Sequence, residues 1–337
     1  LGAAMTELIL DYSLFLAKTL TVLVALGLAI LMLGRLRRSH KRVPETLEVV
    51  HLNQKYADMR RMLRQATLPR KQFHHALRAE RAEQRARNKE LVRNKERPKR
   101  IFVVDFHGDI TATEVAALRE SITAILQEAT TEDEVLVRLE NAGGLVHEHG
   151  LAASQLARIR QRQIRLTVAV DKVAASGGYL MACVADHIIA APFAILGSVG
   201  VLAQLPNFHQ LLSRHGIEFE QLKAGDHKRT LTLFGENTDE DRARLQSQLN
   251  DTHALFQGFL QEYRPQLDVA KIATGEAWHG QQALGLELLD ELLTSDDYLL
   301  AASRDAELYL VEYSVRKRPL ERVVSSIRAL GGALLPH

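Results

Sequence analysis

The sequence predicts an α/β protein with a mostly parallel sheet, joined to an N-terminal transmembrane helix. Two features of its 337 residues support this prediction. An apolar stretch near the N-terminus is long enough to cross a membrane, and from Ile101 onward short apolar runs alternate with amphipathic ones. Apolar strands separated by helices are typical of a parallel sheet that helices cover on both faces.

The apolar stretch runs from Tyr12 to Gly34 and is interrupted by a single lysine. About 20 such residues suffice to cross the hydrocarbon core of a bilayer. Glu7 and Asp11 precede the stretch and basic residues follow it closely, which is the reverse of the charge pattern of a cleaved signal peptide. We therefore expect residues 1–34 to be a retained anchor, and the positive-inside rule places the chain that follows in the cytoplasm.

Residues 35–100 are predicted to form a basic, largely helical linker. They contain 21 Lys and Arg but 7 Asp and Glu, a net charge of +14, whereas the rest of the chain carries −12. Ala79 to Val92 has helix formers without a wide apolar stripe, which predicts a solvated helix. Because the linker lacks interleaved aromatic side chains and follows a membrane span, contact with anionic lipid is favoured over binding of nucleic acid.

After residue 100 the pattern alternates between strands and helices. The predicted strands are Ile101–Phe106, Glu134–Leu139, Arg165–Val170, Ile188–Ala190, Ala194–Leu196, Glu218–Lys223 and Glu307–Val315. The predicted helices are Glu114–Glu128, Gly150–Arg160, Tyr179–Ala185, Asn207–His215, Asp239–Glu262, Gln281–Leu288 and Leu320–Leu330. Residues 101–296 are expected to form the main domain, and residues 297–337 a C-terminal strand and amphipathic helix.

Ser176 stands between a buried strand and a helix of small residues. Ala174 and Ala175 precede it, and Gly177 and Gly178 follow it. Such small residues allow other backbone to approach closely, and glycine accepts the angles of a tight strand-to-helix turn. This is how a nucleophile is presented at the end of a sheet, although a serine that merely caps a helix gives the same pattern.

A serine nucleophile needs a base, and none of the 14 histidines has a convincing sequence context for that role. Lys228 lies in a loop before the acidic start of a long helix. A lysine can serve as a base when burial disfavours its ammonium form, but a lysine between a histidine and an arginine is more often a solvated cation. Residues 147–149, His-Glu-His, have metal-ligand types without a third ligand implied by spacing.

Two further turns follow predicted strands. Asn141-Ala142-Gly143-Gly144 offers backbone N–H groups that could hold a tetrahedral oxyanion, and Ser198 adds another hydroxyl. Both turns are also ordinary ways to end a strand. In a parallel sheet, however, ligands bind outside the carboxyl ends of the strands, so one crevice could gather these groups with Ser176 and Lys228.

The residues resemble the signal peptide peptidase A family, and within it the SohB type of inner-membrane serine peptidase. The resemblance runs from about Ile101 to Leu292. The matching segments are Val104–Ile110, Asn141–Gly144, Val168–Pro192, Gly197–Val201, Gly225–Thr230 and Thr274–Trp278. Their order and spacing agree with those of the family, which makes the resemblance specific.

The resemblance implies a ClpP/crotonase-like fold and a Ser–Lys dyad, with Ser176 as the nucleophile and Lys228 as the general base. Ser198 is similar to the serine that orients this lysine. Gly143 and the N–H of Ser176 would form the oxyanion hole, with Gly144 shaping the loop. The family usually has Ser-Pro-Gly-Gly where this chain has residues 141–144. Because Ala142 replaces the proline, φ is less constrained there, which implies a looser oxyanion loop.

These inferences lead to the hypothesis of a membrane-anchored serine endopeptidase of the bacterial inner membrane. The positive-inside rule places its catalytic domain in the cytoplasm, whereas the signal-peptide role of the family implies the opposite side of the membrane. The family implies a homo-oligomer whose active sites use residues of neighbouring subunits, and substrates that are signal peptides or membrane-derived or unfolded polypeptides. No cofactor and no metal is implied. The alternatives are a Ser–His arrangement, a crotonase-like acyl-CoA enzyme in which the serine is dispensable, and an inactive membrane scaffold that uses the basic linker.

Overall fold

The computed structural model describes residues 45–94, 97–225, 228 and 231–315, together with positions 16, 18–21, 23, 24 and 26. Residues 47–313 form one compact unit, and 1–46 with 314–337 form another. Within the part of the chain that is described, no helix has the length and apolar character of a membrane span. Most of the predicted span from Tyr12 to Gly34, and the whole predicted helix Leu320–Leu330, lie outside the described residues.

The described elements follow one another as strands and helices in alternation. The strands are β1 Glu45–His51, β2 Lys99–Gly108, β3 Glu134–Asn141, β4 Arg165–Val170, β5 Val173–Ala175, β6 His187–Ala190, β7 Ile195–Gly197, β8 Ala277–His279, β9 Glu291–Leu292 and β10 Ala306–Val315. The helices are α1 Leu52–Thr67, α2 Arg70–Asn94, α3 Val115–Glu128, α4 Val146–Gln161, α5 Gly177–Ala182, α6 His209–Arg214, α7 Asp239–Tyr263, α8 Val269–Ile272, α9 Gly280–Gly285 and α10 Ser295–Ala302.

The strands form one sheet in the order β1–β10–β2–β3–β4–β6–β9. From β10 to β9 every neighbouring pair is parallel, which confirms the predicted α/β class with a parallel sheet. Three short strands extend it from the carboxyl end of β3. There β5 pairs in parallel with β3 and β7, and β7 pairs antiparallel with β8.

Successive side chains of the central strands point to opposite faces of the sheet, and a hydrophobic cluster covers each face. In β2, Ile101 and Val103 contact a cluster that includes Leu52 of α1 and Leu299 of α10. The residues between them face the larger core with α3 and α4. Burial on both faces explains why the strand sequences are continuously apolar rather than alternating.

The predicted strand Glu218–Lys223 is wrong, because residues 217–223 are neither helix nor strand. Their apolar side chains are exposed, with Leu222 97 % accessible and Phe219 42 % accessible. Strand propensity reflects packing against cross-strand neighbours, and no described strand pairs with this segment. Among the described residues from 201 to 238, the short helix α6 is the one helix or strand.

Candidate active site

Ser176 occupies the turn between β5 and α5 with an uncommon backbone conformation. Its φ is 52° and its ψ is −119°, and a non-glycine residue held in such a region is strained by about 1–3 kcal/mol. Its N–H donates to the carbonyl oxygen of Gly197 at 2.8 Å, which ties the strained residue to β7. A half-buried serine at such a turn matches the way a nucleophile is presented at the edge of a sheet.

The glycines after Ser176 are needed because other groups pack directly on the start of α5. A Cβ on Gly178 would lie 2.1 Å from the carbonyl oxygen of Asn141, and a Cβ on Gly177 would lie 2.5 Å from Cγ of His149. Real Cβ atoms do not approach other atoms so closely, since protein interiors are close-packed. The Gly-Gly pair therefore brings β3 and α4 up to the turn that holds Ser176.

Two of the other predicted site residues lie beside Ser176. Ala175 pairs with Gly197 across the parallel strands β5 and β7, so Ser198 follows its strand at the same level as Ser176. Ser198 also has a positive φ, 51°, and its N–H donates to the carbonyl oxygen of Glu276 at 2.5 Å. On the other side lies Gly143, where an added Cβ would be 2.7 Å from Cβ of Ser176.

Both backbone donors that the sequence assigns to an oxyanion hole already have acceptors. The N–H of Gly143 donates to Oδ1 of Asn141 at 2.8 Å, and that of Ser176 donates to β7. Among the described residues, the N–H groups of Gly144 and Gly177 have no acceptor. These two glycines line one groove with Ser176. In this structure, backbone N–H groups of Gly144 and Gly177 are thus the ones that an oxyanion could approach.

The groove beside Ser176 has a volume of about 340 Å³ and walls that are mostly apolar. Val146 and Leu180 contribute to it from α4 and α5, and Leu255, Phe256 and Phe259 from α7. Such a concave, largely apolar groove with a few polar groups is typical of a ligand site. Its chemistry suits an apolar side chain held next to the hydroxyl of Ser176.

Lys228 is exposed in this structure, and it does not line the groove. Its backbone N–H donates to the carbonyl oxygen of Gly225 at 3.2 Å. Within the described residues, no hydrogen bond or ion pair joins its amine to Ser176 or Ser198. The structure therefore brings Ser176, Ser198, Gly143 and Gly144 together, and leaves Lys228 in the exposed stretch between β7 and α7.

His149 is a residue of this site that the sequence did not reveal. It lies on α4, is 0 % exposed, and lines the groove with Ser176. Its spacing from Ala152, Ala153 and Leu156 places it on the buried face of the helix, and this periodicity was the available signal. His147, by contrast, is exposed beside Glu148. No group of three or more candidate metal ligands occurs within the described ranges.

Cys183 does not compete with Ser176 as a nucleophile. It is completely buried, and burial raises the pKa of its thiol well above the ordinary value because the thiolate would lose its hydration. Its Sγ donates to the carbonyl oxygen of Leu180 at 3.2 Å. A thiol needs its thiolate form to react, so the buried Cys183 is not an available nucleophile.

Two family models and several known proteins match most of the chain. The family model described as Peptidase family S49 N-terminal matches residues 7–156, and the model described as Peptidase family S49 matches residues 158–309. A protein of Haemophilus influenzae named "Probable protease SohB" is 42 % identical over 327 residues, covering 94 % of this chain and 92 % of that protein. A protein of the same name from Buchnera aphidicola subsp. Acyrthosiphon pisum is 44 % identical over 322 residues, covering 95 % and 94 %.

A solved structure with some likeness is the 1510-N membrane protease specific for a stomatin homolog from Pyrococcus horikoshii. Its TM-score is 0.37 at 15 % identity, covering 61 % of this chain and 79 % of that one.

Proposed function

The chain belongs to peptidase family S49, and on that premise we propose that it is a membrane-anchored serine endopeptidase with Ser176 as its nucleophile and Lys228 as its general base. One observation carries the proposal. Ser176 is strained at a strand-to-helix turn, beside an apolar groove and two N–H groups that lack acceptors among the described residues. A nucleophile, a place for a side chain and oxyanion donors are what acyl transfer requires.

In the proposed reaction, the neutral amine of Lys228 takes the proton from Ser176 Oγ as this oxygen attacks a peptide carbonyl. The N–H groups of Gly144 and Gly177 hold the developing oxyanion. The protonated amine then gives its proton to the leaving nitrogen, and the C–N bond breaks to leave an acyl-enzyme. Water, deprotonated by the same amine, attacks the ester carbonyl. The ammonium then returns this proton to Oγ as the C–O bond to Ser176 breaks. Ser198, next to the nucleophile, is proposed to orient the amine.

The proposed base, Lys228, has to be withdrawn from water, and the single chain leaves it exposed. A lysine remains neutral near pH 7 only when it is withdrawn from water, whereas Lys228 is exposed. The stretch that carries it also exposes many apolar side chains: Leu202, Leu205, Phe208, Leu211, Ile217, Phe219, Leu222, Leu233 and Phe234. We propose that a homo-oligomer covers this stretch and brings Lys228 to a Ser176, since exposed apolar surface of this extent favours association.

The anchor and the basic linker are proposed to hold the enzyme on the bacterial inner membrane, with the peptidase unit on the cytoplasmic side. The described positions between 16 and 26 are helical. Their leucine and valine side chains are more than half exposed, as lipid-facing side chains are. We propose that the substrates are extended, membrane-derived or unfolded polypeptides, including signal peptides. The apolar groove and the anchor support this proposal.

The test measures cleavage of a fluorogenic peptide library by the full-length chain in detergent. Ser176→Ala and Lys228→Ala are each expected to remove at least 10³-fold of the activity, an order of magnitude typical for the loss of a nucleophile or base. Lys223→Ala is the matched control, because Lys223 is an exposed lysine of the same stretch without an assigned role. Wild-type cleavage by Ser176→Ala would refute the proposal, and wild-type cleavage by Lys228→Ala alone would refute the dyad.

The Ser–His alternative gains no support from the site. His149 is the histidine that shares the groove with Ser176, but its Nδ1 lies 3.0 Å from the carbonyl oxygen of Leu145 and its Nε2 lies 3.2 Å from Oδ1 of Asn141. Both nitrogens are thus engaged away from the hydroxyl. A general base must be within hydrogen-bonding reach of the proton that it takes.

A further inference from the structure

His149 is fully buried at the active site, yet the proposed reaction gives it no task. Its ring packs on the start of α5, where Gly177 leaves no room for a Cβ. Burying an imidazole in a core costs free energy unless its nitrogens are hydrogen-bonded. Each nitrogen has an oxygen within hydrogen-bonding distance, and one of these oxygens belongs to the side chain of Asn141, which begins the loop that contains Gly143 and Gly144.

Asn141 connects the histidine to this loop. Its Oδ1 accepts the N–H of Gly143 at 2.8 Å, and its Nδ2 donates to Sδ of Met181 at 3.3 Å. Because Oδ1 faces the Gly143 N–H, this atom must be the amide oxygen, and the group that meets it from the other side must be a donor. This requirement assigns a hydrogen to Nε2 of His149, 3.2 Å away. In that tautomer Nδ1 carries none and does not donate to the carbonyl oxygen of Leu145.

The result is a continuous chain of contacts from α4 to the nucleophile. His149 donates to Asn141, Asn141 accepts from Gly143, and Gly143 lies against Cβ of Ser176. Asn141 is only 1 % exposed, so water does not replace either bond. Buried hydrogen bonds that connect side chains in this way hold them in one arrangement.

We propose that His149 is a positioning residue, which holds the Asn141 side chain and thereby fixes the loop that supplies the oxyanion donor of Gly144. This inference rests on the proposed function, because it assumes that Ser176 attacks and that the loop receives the oxyanion. It also gives a physical answer to the absence of proline at position 142. The freedom of φ at Ala142 is removed by hydrogen bonds from a buried side chain rather than by a ring.

The experiment compares His149→Phe with His149→Gln in the full-length enzyme. Phe fills the space of the ring but donates nothing, whereas Gln keeps an N–H near the position of Nε2. Loss of an oxyanion donor itself reduces kcat by about 10²–10³-fold, so a residue that positions the donor is expected to reduce it by roughly 10–100-fold in the Phe variant. KM is expected to stay within about threefold, because the groove is intact. The Gln variant should recover most of the lost kcat.

A second measurement separates positioning from a general loss of packing. In Asn141→Ser the shorter side chain still accepts the N–H of Gly143 but no longer reaches His149. His149→Phe should then cause little further loss of kcat in this background, because coupled residues are not additive. A peptide aldehyde, which forms a tetrahedral adduct with a serine, should lose affinity for His149→Phe in parallel with kcat/KM.

The outcomes distinguish this inference from the proposed function. Wild-type kcat in His149→Phe, or a Gln variant no better than Phe, overturns the positioning role while Ser176→Ala remains inactive. Equal losses from His149→Phe in the wild-type and Asn141→Ser backgrounds overturn it as well, since the two residues would then act independently. Activity in Ser176→Ala instead overturns the proposed function itself.

Discussion

Replacing Gly143 with alanine tests the geometry of the site most directly. Gly143 has a φ of 94°, which residues with a side chain rarely adopt. An added Cβ would lie 2.7 Å from Cβ of Ser176 and 2.9 Å from both the carbonyl oxygen of Ala175 and the nitrogen of Gly177. These neighbours are Ser176, the proposed nucleophile, and the backbone on either side of it, so a Gly143→Ala side chain cannot be accommodated without moving them.

The size of the effect follows from these distances. Non-bonded carbon atoms are comfortable at about 3.5–4.0 Å, so Gly143→Ala requires a relative movement of about 1 Å between the loop and Ser176. A misplacement of about 1 Å can lower the rate about 100-fold, which corresponds to about 2.7 kcal/mol in the activation barrier. The left-handed backbone adds about 1–2 kcal/mol of destabilisation for alanine, which lowers the free energy of unfolding.

The assay measures kcat/KM with a fluorogenic peptide and unfolding in urea through the fluorescence of Trp278, the single tryptophan of the chain. Gly285→Ala is the matched control, because no atom lies within 4 Å of a Cβ added there. We expect wild-type kcat/KM for the control and a loss of about 100-fold for Gly143→Ala. Wild-type kcat/KM for Gly143→Ala would show that the loop does not lie against the nucleophile, and the reasoning would fail.

Three further predictions concern the unit of residues 47–313. Glu134 is buried and accepts a hydrogen bond from Lys99 Nζ at 2.8 Å. Burial raises the pKa of its carboxyl group, but the hydrogen bonds that it accepts have the larger effect and hold this pKa below the ordinary 4.5. Glu134→Gln should lower the free energy of unfolding by about 1.5–3 kcal/mol at pH 7. The difference from the wild type should shrink as pH falls below 4.5, because the wild-type carboxylate is then protonated. A difference that does not change with pH would contradict this prediction. Arg264 is 3 % exposed and donates two hydrogen bonds of 2.8 Å to Asp290. Arg264→Leu should therefore lower the free energy of unfolding, measured by urea titration, by about 3–5 kcal/mol. A change below about 1 kcal/mol would show that the pair is dispensable. Cys183 should resist iodoacetamide at about pH 8 until urea unfolds the chain, since its pKa is raised by burial; rapid alkylation of the native protein would contradict its placement.

Most of the fold could be predicted because its strands are buried on both faces. The continuous apolar runs of β2, β3 and β4 have few alternatives to a parallel sheet, and the long helix α7 follows from its length and its acidic first turn. The short strands β5 and β8 were not predicted, since three residues carry no periodicity. The opposite error occurred at Glu218–Lys223, where the apolar residues Phe219 and Leu222 suggested a strand that has no described partner to pair with.

The close packing around Ser176 could be predicted from the small residues on either side of it. Ser176 between Ala-Ala and Gly-Gly requires close approach of other backbone, and Asn141 and His149 are the groups that approach. Which N–H groups remain without an acceptor is a different matter. That depends on the Oδ1 of Asn141 and the carbonyl of Gly197, and a sequence does not state which way an amide or a carbonyl points.

The exposed stretch from residue 201 to residue 238 connects the chemistry to assembly. It carries both the proposed base, Lys228, and a large share of the exposed apolar side chains of the described chain. Burying those side chains is favourable at about 25 cal/mol for each Å² removed from water, and a neutral amine depends on the same withdrawal from water. One event would therefore stabilise the oligomer and prepare the base. In the proposed peptidase, each chain would hold its own nucleophile, oxyanion donors and groove, and the proton acceptor would become competent only where several chains meet.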